Sequence, residues 1–278
     1  MLLTKQKTTN GSRWAVDGNF LPPNLNLSTL LEMPREKMFE VVKTLSKVES
    51  AVGAAPSVSK EREEAPIDPH QEVWAAGVTY RQSRDARKAE STVADMYQKV
   101  YEAERPELFF KSPGWRVSGN GGPIRIRKDS HWNVPEPELV LAVNRHNEIV
   151  GYCAGNDVSS RDIEGENPLY LPQAKIYNGS CALGHGIWLC DPDSIRDIPI
   201  RLQVRRANET IFNGEANIAS MKRTLPELVE FLTRELDFPH GVFLMTGTCL
   251  VPDDFTLQYG DTVVIQVGRL KIQNIVSA

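Results

Sequence analysis

Three carboxylates near the middle of the chain, Glu136, Glu138 and Asp157, carry the sharpest chemical signal in the sequence. Glu136 and Glu138 stand two apart in Val134-Pro135-Glu136-Pro137-Glu138-Leu139-Val140-Leu141-Ala142-Val143. Side chains alternate faces along a strand, so both point the same way. A polar turn, Asn144 to Glu148, comes next, then Ile149-Val150-Gly151-Tyr152 and the run to Asp157, which predicts a hairpin. With a loop of Arg145 to Glu148, Asn144 pairs with Ile149, Glu136 falls opposite Asp157, and Glu138 lies diagonal to it. Like charges opposite one another in a sheet repel. A hard divalent cation resolves that repulsion, and oxygen-only ligands favour magnesium, manganese or calcium over zinc. Spacing alone fits a solvated acidic strand edge better, with the prolines blunting pairing.

The segment after Asp157, from Val158 to Lys175, is dense in ionisable groups. Arg161 and Lys175 could form the cationic pocket that an acidic substrate needs, or belong to a surface salt-bridge loop. The five histidines form no metal-binding pattern, and His131 is the one near the acidic strand. Gly119-Asn120-Gly121-Gly122 reads as a turn rather than a phosphate cradle. Neither a dinucleotide fingerprint nor a P-loop is present.

The elements that must position these groups are mostly strands. Ile198 to Val204 and Asp261 to Val267 show apolar alternation. Val93, Met96, Tyr97, Val100 and Tyr101 predict one helix. A second follows Thr224, with Glu227 completing a capping box and Leu225, Leu228, Val229 and Leu232 on one face. Scattered helices among dominant strands indicate an α+β fold. Residues 1–66 read as a small leading module with a helix carrying Met38, Val41, Val42, Leu45 and Val48. Ser57 to Gln71, charged and interrupted by Pro66 and Pro69, reads as a linker, and residues 67–278 as one longer domain.

Bulk properties narrow the function further. The 278 residues are 41% hydrophobic and 24% charged, ordinary globular usage. A net charge of −4, from 32 basic and 36 acidic residues, gives no broad reason to bind nucleic acid or an anionic membrane. No apolar run is long enough to span a bilayer, and the amino terminus lacks the apolar core of a signal peptide. Cys153, Cys181, Cys190 and Cys249 form no C-x-x-C pair and read as reduced thiols of a cytoplasmic protein.

Phe109-Phe110-Lys111, Glu136-Pro137-Glu138, Gly155 to Asp162, Lys175 and Thr246-Gly247-Thr248 occur in the order seen in the fumarylacetoacetate hydrolase superfamily, which the chain resembles over roughly residues 70–278. The resemblance implies a mixed-β roll with a small amino-terminal domain, assembled as a homodimer or homotetramer. It implies Mg2+, with Mn2+ or Ca2+ as substitutes, on Glu136, Glu138 and Asp157. It also implies substrate contacts from Arg161, Thr248, Tyr80 and Lys111. Arg105 to Lys111 and Glu166 to Tyr177 resemble the sugar-acid dehydratase branch, the relatives of 2-keto-3-deoxy-D-arabinonate dehydratase, where Glu107 and Lys175 would be the catalytic pair. The carbon–carbon hydrolases of the superfamily carry a histidine shortly after a tyrosine near the domain start. Gly77 to Asp85 contains none, and Glu164 stands where those hydrolases tend to have glutamine. The expectation is therefore a metal-dependent dehydratase of a small 2-keto acid. A fumarylacetoacetate- or acylpyruvate-type hydrolase, or an oxaloacetate decarboxylase or tautomerase, is the enzymatic alternative. A catalytically silent metal-binding protein is the other.

Overall fold

The computed structural model describes residues 1–9, 11–52, 64–82, 94–250, 252 and 255–278. Its strands are β1 (Leu2–Thr8), β2 (Gly11–Val16), β3 (Asn19–Phe20), β4 (Glu72–Gly77), β5 (Glu107–Pro113), β6 (Pro123–Arg125), β7 (Asn133–Val134), β8 (Pro137–Val143), β9 (Ile149–Asp157), β10 (Ser159–Ser160), β11 (Cys181–Leu189), β12 (Pro199–Arg206), β13 (Glu209–Asn217), β14 (Val242–Thr248), β15 (Thr262–Val267) and β16 (Leu270–Ser277). A nine-stranded sheet runs in the order β3-β2-β1-β11-β9-β8-β14-β4-β5, and a five-stranded sheet in the order β13-β12-β15-β16-β6. Both are mixed, through the parallel pairs β14–β4 and β16–β6. A short β7–β10 pair completes the α+β arrangement.

Two kinds of strand follow from two kinds of sequence. β16 alternates cleanly: Leu270, Ile272, Asn274 and Val276 are buried and the residues between them exposed, as a sheet wet on one face requires. β8 and β9 lie at the centre of the large sheet and are buried along their whole length, so they read as near-continuous apolar runs. β9 packs against β15 and β16, and β8 against β12, placing one apolar core between the sheets.

The β8–β9 register is the one that matters for chemistry. Pro137 pairs with Asn156 and Glu138 with Gly155, and Asp157 N donates to Glu136 O at 3.0 Å. Glu136 thus faces Asp157, as the hairpin reading predicts. The turn itself is tighter than expected: Val143, not Asn144, pairs with Ile149, and Asn144 N donates to Glu148 O at 3.0 Å. A bulge then takes up one residue before Gly151 pairs with Ala142 and restores the register.

The helix Leu225–Thr233 has its capping box at Thr224 and Glu227 and buries Leu225, Leu228, Val229 and Leu232, as predicted. The helix Ala94–Glu102 buries Tyr97 but exposes Met96, and Val93 lies outside the described residues. In the leading segment, the helix Arg35–Val52 buries Met38 and Val42, and the side chain of Val48 is outside the described set. β1 pairs with β11, so residues 1–20 extend the large sheet. The expected linker divides: residues 57–63 lie outside the described set, whereas Ile67, Asp68 and Gln71 are buried. Asp68 accepts from Ser28 N at 2.9 Å, and Gln71 Oε1 accepts from Asp68 N at 2.8 Å. The second half is therefore packed polar structure, which composition alone does not distinguish from a linker. Gly119 to Gly122 forms a turn against β16, with Gly121 at φ +74° and Gly121 N donating to Gln273 O.

Candidate metal centre and active site

Pro137 opens β8, and Glu138 sits between Gly155 of β9 and Thr248 of β14. The β14 side is bulged between Met245 and Thr248. Gly247 adopts φ +95° there, which L side chains rarely adopt, and a Cβ on it would lie 2.0 Å from Thr79 Oγ1. This turn aims the Gly247 N–H at Glu138 Oε2, 2.7 Å away. Glu136, Glu138 and Asp157 are all buried, and each offers an oxygen within 4.8 Å of those of the other two. Oxygens bound to one hard cation at about 2.0–2.6 Å lie at most about 4–5 Å apart, so three carboxylates grouped this closely fit a magnesium- or calcium-class ion.

Three buried cations surround them. Lys175 Nζ donates to Glu136 Oε2 at 2.8 Å, Asp157 Oδ2 at 3.1 Å and Ser159 Oγ at 2.6 Å. Arg161 donates to Glu136 Oε1 at 2.7 Å. Lys111, fully buried, pairs with Asp157 and donates to the carbonyls of Val158 at 3.1 Å and Lys175 at 2.5 Å. Removing one member of a buried pair strands its partner at a cost of about 3–5 kcal/mol, so these cations hold the carboxylates in place. Glu138 differs: among the described residues it forms no ion pair. Burial, reinforced by the charges of Asp157 and Glu136, raises its carboxyl well above the usual range, against weaker opposition from Lys175 and the Gly247 N–H. A bound cation relieves that unfavourable charge. The formal charges of the three carboxylates and three cations cancel. A divalent ion would leave a positive excess of about two, suited to a small acid, before Glu107 and Glu164 are counted.

A cavity opens beside this cluster. Glu107, Lys175 and Thr248 line it together with the three carboxylates, as do Gly77, Phe109, Glu164 and Leu171. The geometry thus brings together the expected catalytic pair, the expected metal ligands and Thr248. Its wall does not include Arg161, Lys111 or Tyr80. Arg161 and Lys111 reach carboxylates from behind, and their long side chains are consumed by those ion pairs. Tyr80 is fully buried beside Cys249. Burial, then Cys249 and Glu138, raise its hydroxyl well above the usual phenol range. His131 is exposed, with its backbone N–H on Asp162 at 2.7 Å.

Sequence reasoning did not single out Gly77 for the site, and it noted Glu164 only as a departure from the hydrolases, with no role of its own. Gly77 pairs with Glu107 across β4 and β5, and a Cβ on Gly77 would lie 2.0 Å from Glu107 Oε2. That absence of a side chain makes room for the Glu107 carboxylate. No sequence pattern announces it, because the two meet only through strand pairing. Glu164 follows Arg161 by three residues in the helix Arg161–Glu166, a spacing that shares one helical face, and this periodicity was available as a signal.

Comparison with known proteins places this geometry. The fumarylacetoacetate hydrolase C-terminal domain family matches residues 72–277. A probable 2-keto-3-deoxyxylonate dehydratase of Haloferax volcanii is 47% identical over 206 residues, covering 73% of this chain and 70% of that protein. The 2-dehydro-3-deoxy-D-arabinonate dehydratase of Saccharolobus solfataricus is 42% identical over 214 residues, covering 74% and 70%. A solved 2-keto-3-deoxy-D-arabinonate dehydratase complexed with magnesium and 2,5-dioxopentanoate superposes with a TM-score of 0.81 at 30% identity, covering 100% of this chain and 99% of that one. A domain match across most of the chain, over strands that converge on a buried carboxylate centre, makes this chain a member of the fumarylacetoacetate hydrolase family.

Proposed function

We propose that this chain is a magnesium-dependent dehydratase of a 2-keto-3-deoxy sugar acid. The observation that carries the reading is the placing of Glu107 and Lys175 in one cavity with the three buried carboxylates Glu136, Glu138 and Asp157. Relatives named as dehydratases of such acids, at 42% and 47% identity, support it.

Glu136, Glu138 and Asp157 would hold the ion, whose chemistry is to draw electron density from the carboxylate and 2-keto oxygens of the substrate. Thr248 contacts the substrate from the cavity wall. Glu107 takes a proton from C3, within hydrogen-bond reach of it, and the C–H electron pair moves toward C2 as an enolate. Lys175 stabilises that negative charge electrostatically. Its ammonium directs hydrogens at Glu136, Asp157 and Ser159, a geometry suited to charge stabilisation rather than to nucleophilic attack on a carbonyl. The enolate collapses to a C3=C4 bond as the C4–O bond breaks. Glu107, now an acid, returns its proton to the departing hydroxide, and water leaves. Arg161, Lys111 and Tyr80 serve the site from behind, through the groups they support.

Placement in the cytoplasm, with reduced thiols, belongs to the same proposal and is supported by four free cysteines. So do assembly as a homodimer or homotetramer and the division into residues 1–66 and 67–278. The family match beginning at residue 72 supports that division.

The test is product analysis with 2-keto-3-deoxy-arabinonate and its stereoisomers, with magnesium and with EDTA. A semialdehyde that forms only with metal is the expected result. Cleavage of an acylpyruvate without any semialdehyde would move the chain to the hydrolase side. Glu107→Gln should lower turnover by about 10²–10⁴-fold while magnesium affinity stays nearly unchanged. Equal loss of both would put Glu107 in the metal shell.

A further inference from the structure

The related dehydratase is solved in complex with 2,5-dioxopentanoate, which carries an aldehyde at C5. A 2-keto-3-deoxy pentonate carries a primary alcohol there. Loss of water across C3 and C4 leaves that alcohol intact, giving an unsaturated keto acid with a CH2OH terminus. Reaching the aldehyde requires a second set of proton transfers, away from C5 and onto C3 and C4. In the mechanism proposed above, Glu107 is returned to its starting charge by the elimination at C3 and C4. A second acid–base group in the same cavity would carry these further transfers without Glu107 having to serve both ends of the substrate.

Glu164 is the carboxylate available for that role. It is 5% exposed and lines the same cavity as Glu107 and Lys175. It lies one turn after Arg161, whose guanidinium is fixed on Glu136 at 2.7 Å, so the helix is anchored with this face toward the centre. Glu107 enters from β5, so two carboxylates reach the substrate from different elements.

We propose that Glu164 is the proton-transfer residue of an isomerisation that follows dehydration, an inference that rests on the dehydratase reading above. The Glu164 carboxylate takes one hydrogen from C5, which is acidified by conjugation to the C2 ketone. Its electron pair forms C4=C5, the C3=C4 pair shifts to C2=C3, and the keto oxygen takes the charge. Protonation at C3 restores the ketone and leaves an enol at C4=C5. Protonation at C4 with loss of the C5 hydroxyl proton gives the aldehyde. No electrons enter or leave: the unsaturated acid and the semialdehyde are isomers.

Proton NMR of the reaction with magnesium separates the steps, because the unsaturated acid shows vinylic protons and the semialdehyde an aldehyde proton. In Glu164→Gln, the vinylic species should accumulate and the aldehyde-to-vinylic ratio should fall by about 10²-fold or more, whatever the rate of substrate consumption. An aldehyde-to-vinylic ratio equal to that of wild type would overturn the proposal. Glu164→Asp, which keeps the acid one methylene shorter, guards against misfolding. Its aldehyde-to-vinylic ratio should fall about tenfold or more, and an unchanged ratio is equally fatal. Wild-type protein that removes no water from any such acid would sink the dehydratase reading itself, a result visible before any variant is made.

Discussion

One methyl group separates Gly77 from alanine, and at this position it would occupy the space of a carboxylate oxygen, 2.0 Å from Glu107 Oε2. Gly77 has no positive φ, so alanine suits its backbone and should stabilise by about 0.4–1 kcal/mol by restricting the unfolded chain. The carboxylate is the mobile end of a side chain and will move aside. Gly77→Ala should therefore lose about 10²-fold in kcat/KM, the penalty of a displaced base, with a melting temperature no lower than wild type. Calorimetry beside steady-state kinetics checks this, and wild-type kinetics would remove Glu107 from the chemistry. The contrast with the metal ligands shows what sequence can reveal. Glu136 and Glu138 are legible because alternation needs only local spacing. The dependence of Glu107 on Gly77 arises from pairing between distant segments. Arg161 was read from its charge as part of a cationic pocket and Lys111 was expected from the family resemblance; which side of a carboxylate each cation occupies is set by folding and is not carried by charge.

At the scale of elements, one side chain ties the leading segment to the hairpin that carries the site. Glu148 Oε2 accepts from Arg35 N, at the start of the helix Arg35–Val52, and from Asn144 Nδ2, each at 2.7 Å. Asn144 Nδ2 also donates to Met33 O at 3.0 Å, and Arg145 N to Leu31 O at 2.9 Å. Burial alone would raise the Glu148 carboxyl, but these hydrogen bonds and the Arg35 charge prevail and hold it below the usual range. A carboxylate with a depressed folded-state pKa adds stability above its unfolded value and loses it as the pH falls through the folded one. Glu148→Gln should cost about 0.5–2 kcal/mol at neutral pH, the range of a lost helix cap. Its melting temperature should converge on wild type as the pH drops below the ordinary carboxylate range. A constant gap across that window would mean the carboxylate charge contributes nothing. The hairpin was legible from its polar turn and flanking apolar runs, whereas the bulge was not, because it answers the twist of neighbouring strands.

Across the whole molecule, apo stability and metal binding pull against each other at the centre of the larger sheet. Glu138 is buried with two other carboxylates, and among the described residues it has no ion-pair partner of its own. Its buried charge thus works against folding until a cation arrives. Wild-type protein should gain stability from magnesium by mass action, about 2.7 kcal/mol at a hundred times Kd, read as a rise in melting temperature of several degrees. Glu138→Gln keeps the shape and removes the charge. Without metal it should melt no lower than wild type, and with magnesium it should gain almost nothing. A charged ligand lost from an ordinary structural ion pair would lower the apo melting temperature instead, so the sign of the apo change discriminates. An unaltered magnesium response in Glu138→Gln would move the ion away from this carboxylate. The centre was readable from sequence because three acids converge on one register. The convergence of sheets that buries it was not, because β1, β4 and β5 join the large sheet through pairings between segments far apart in the chain. Burial converts three neighbouring acids into a site that favours a cation, and the metal-dependent melting experiment measures how strongly it does so.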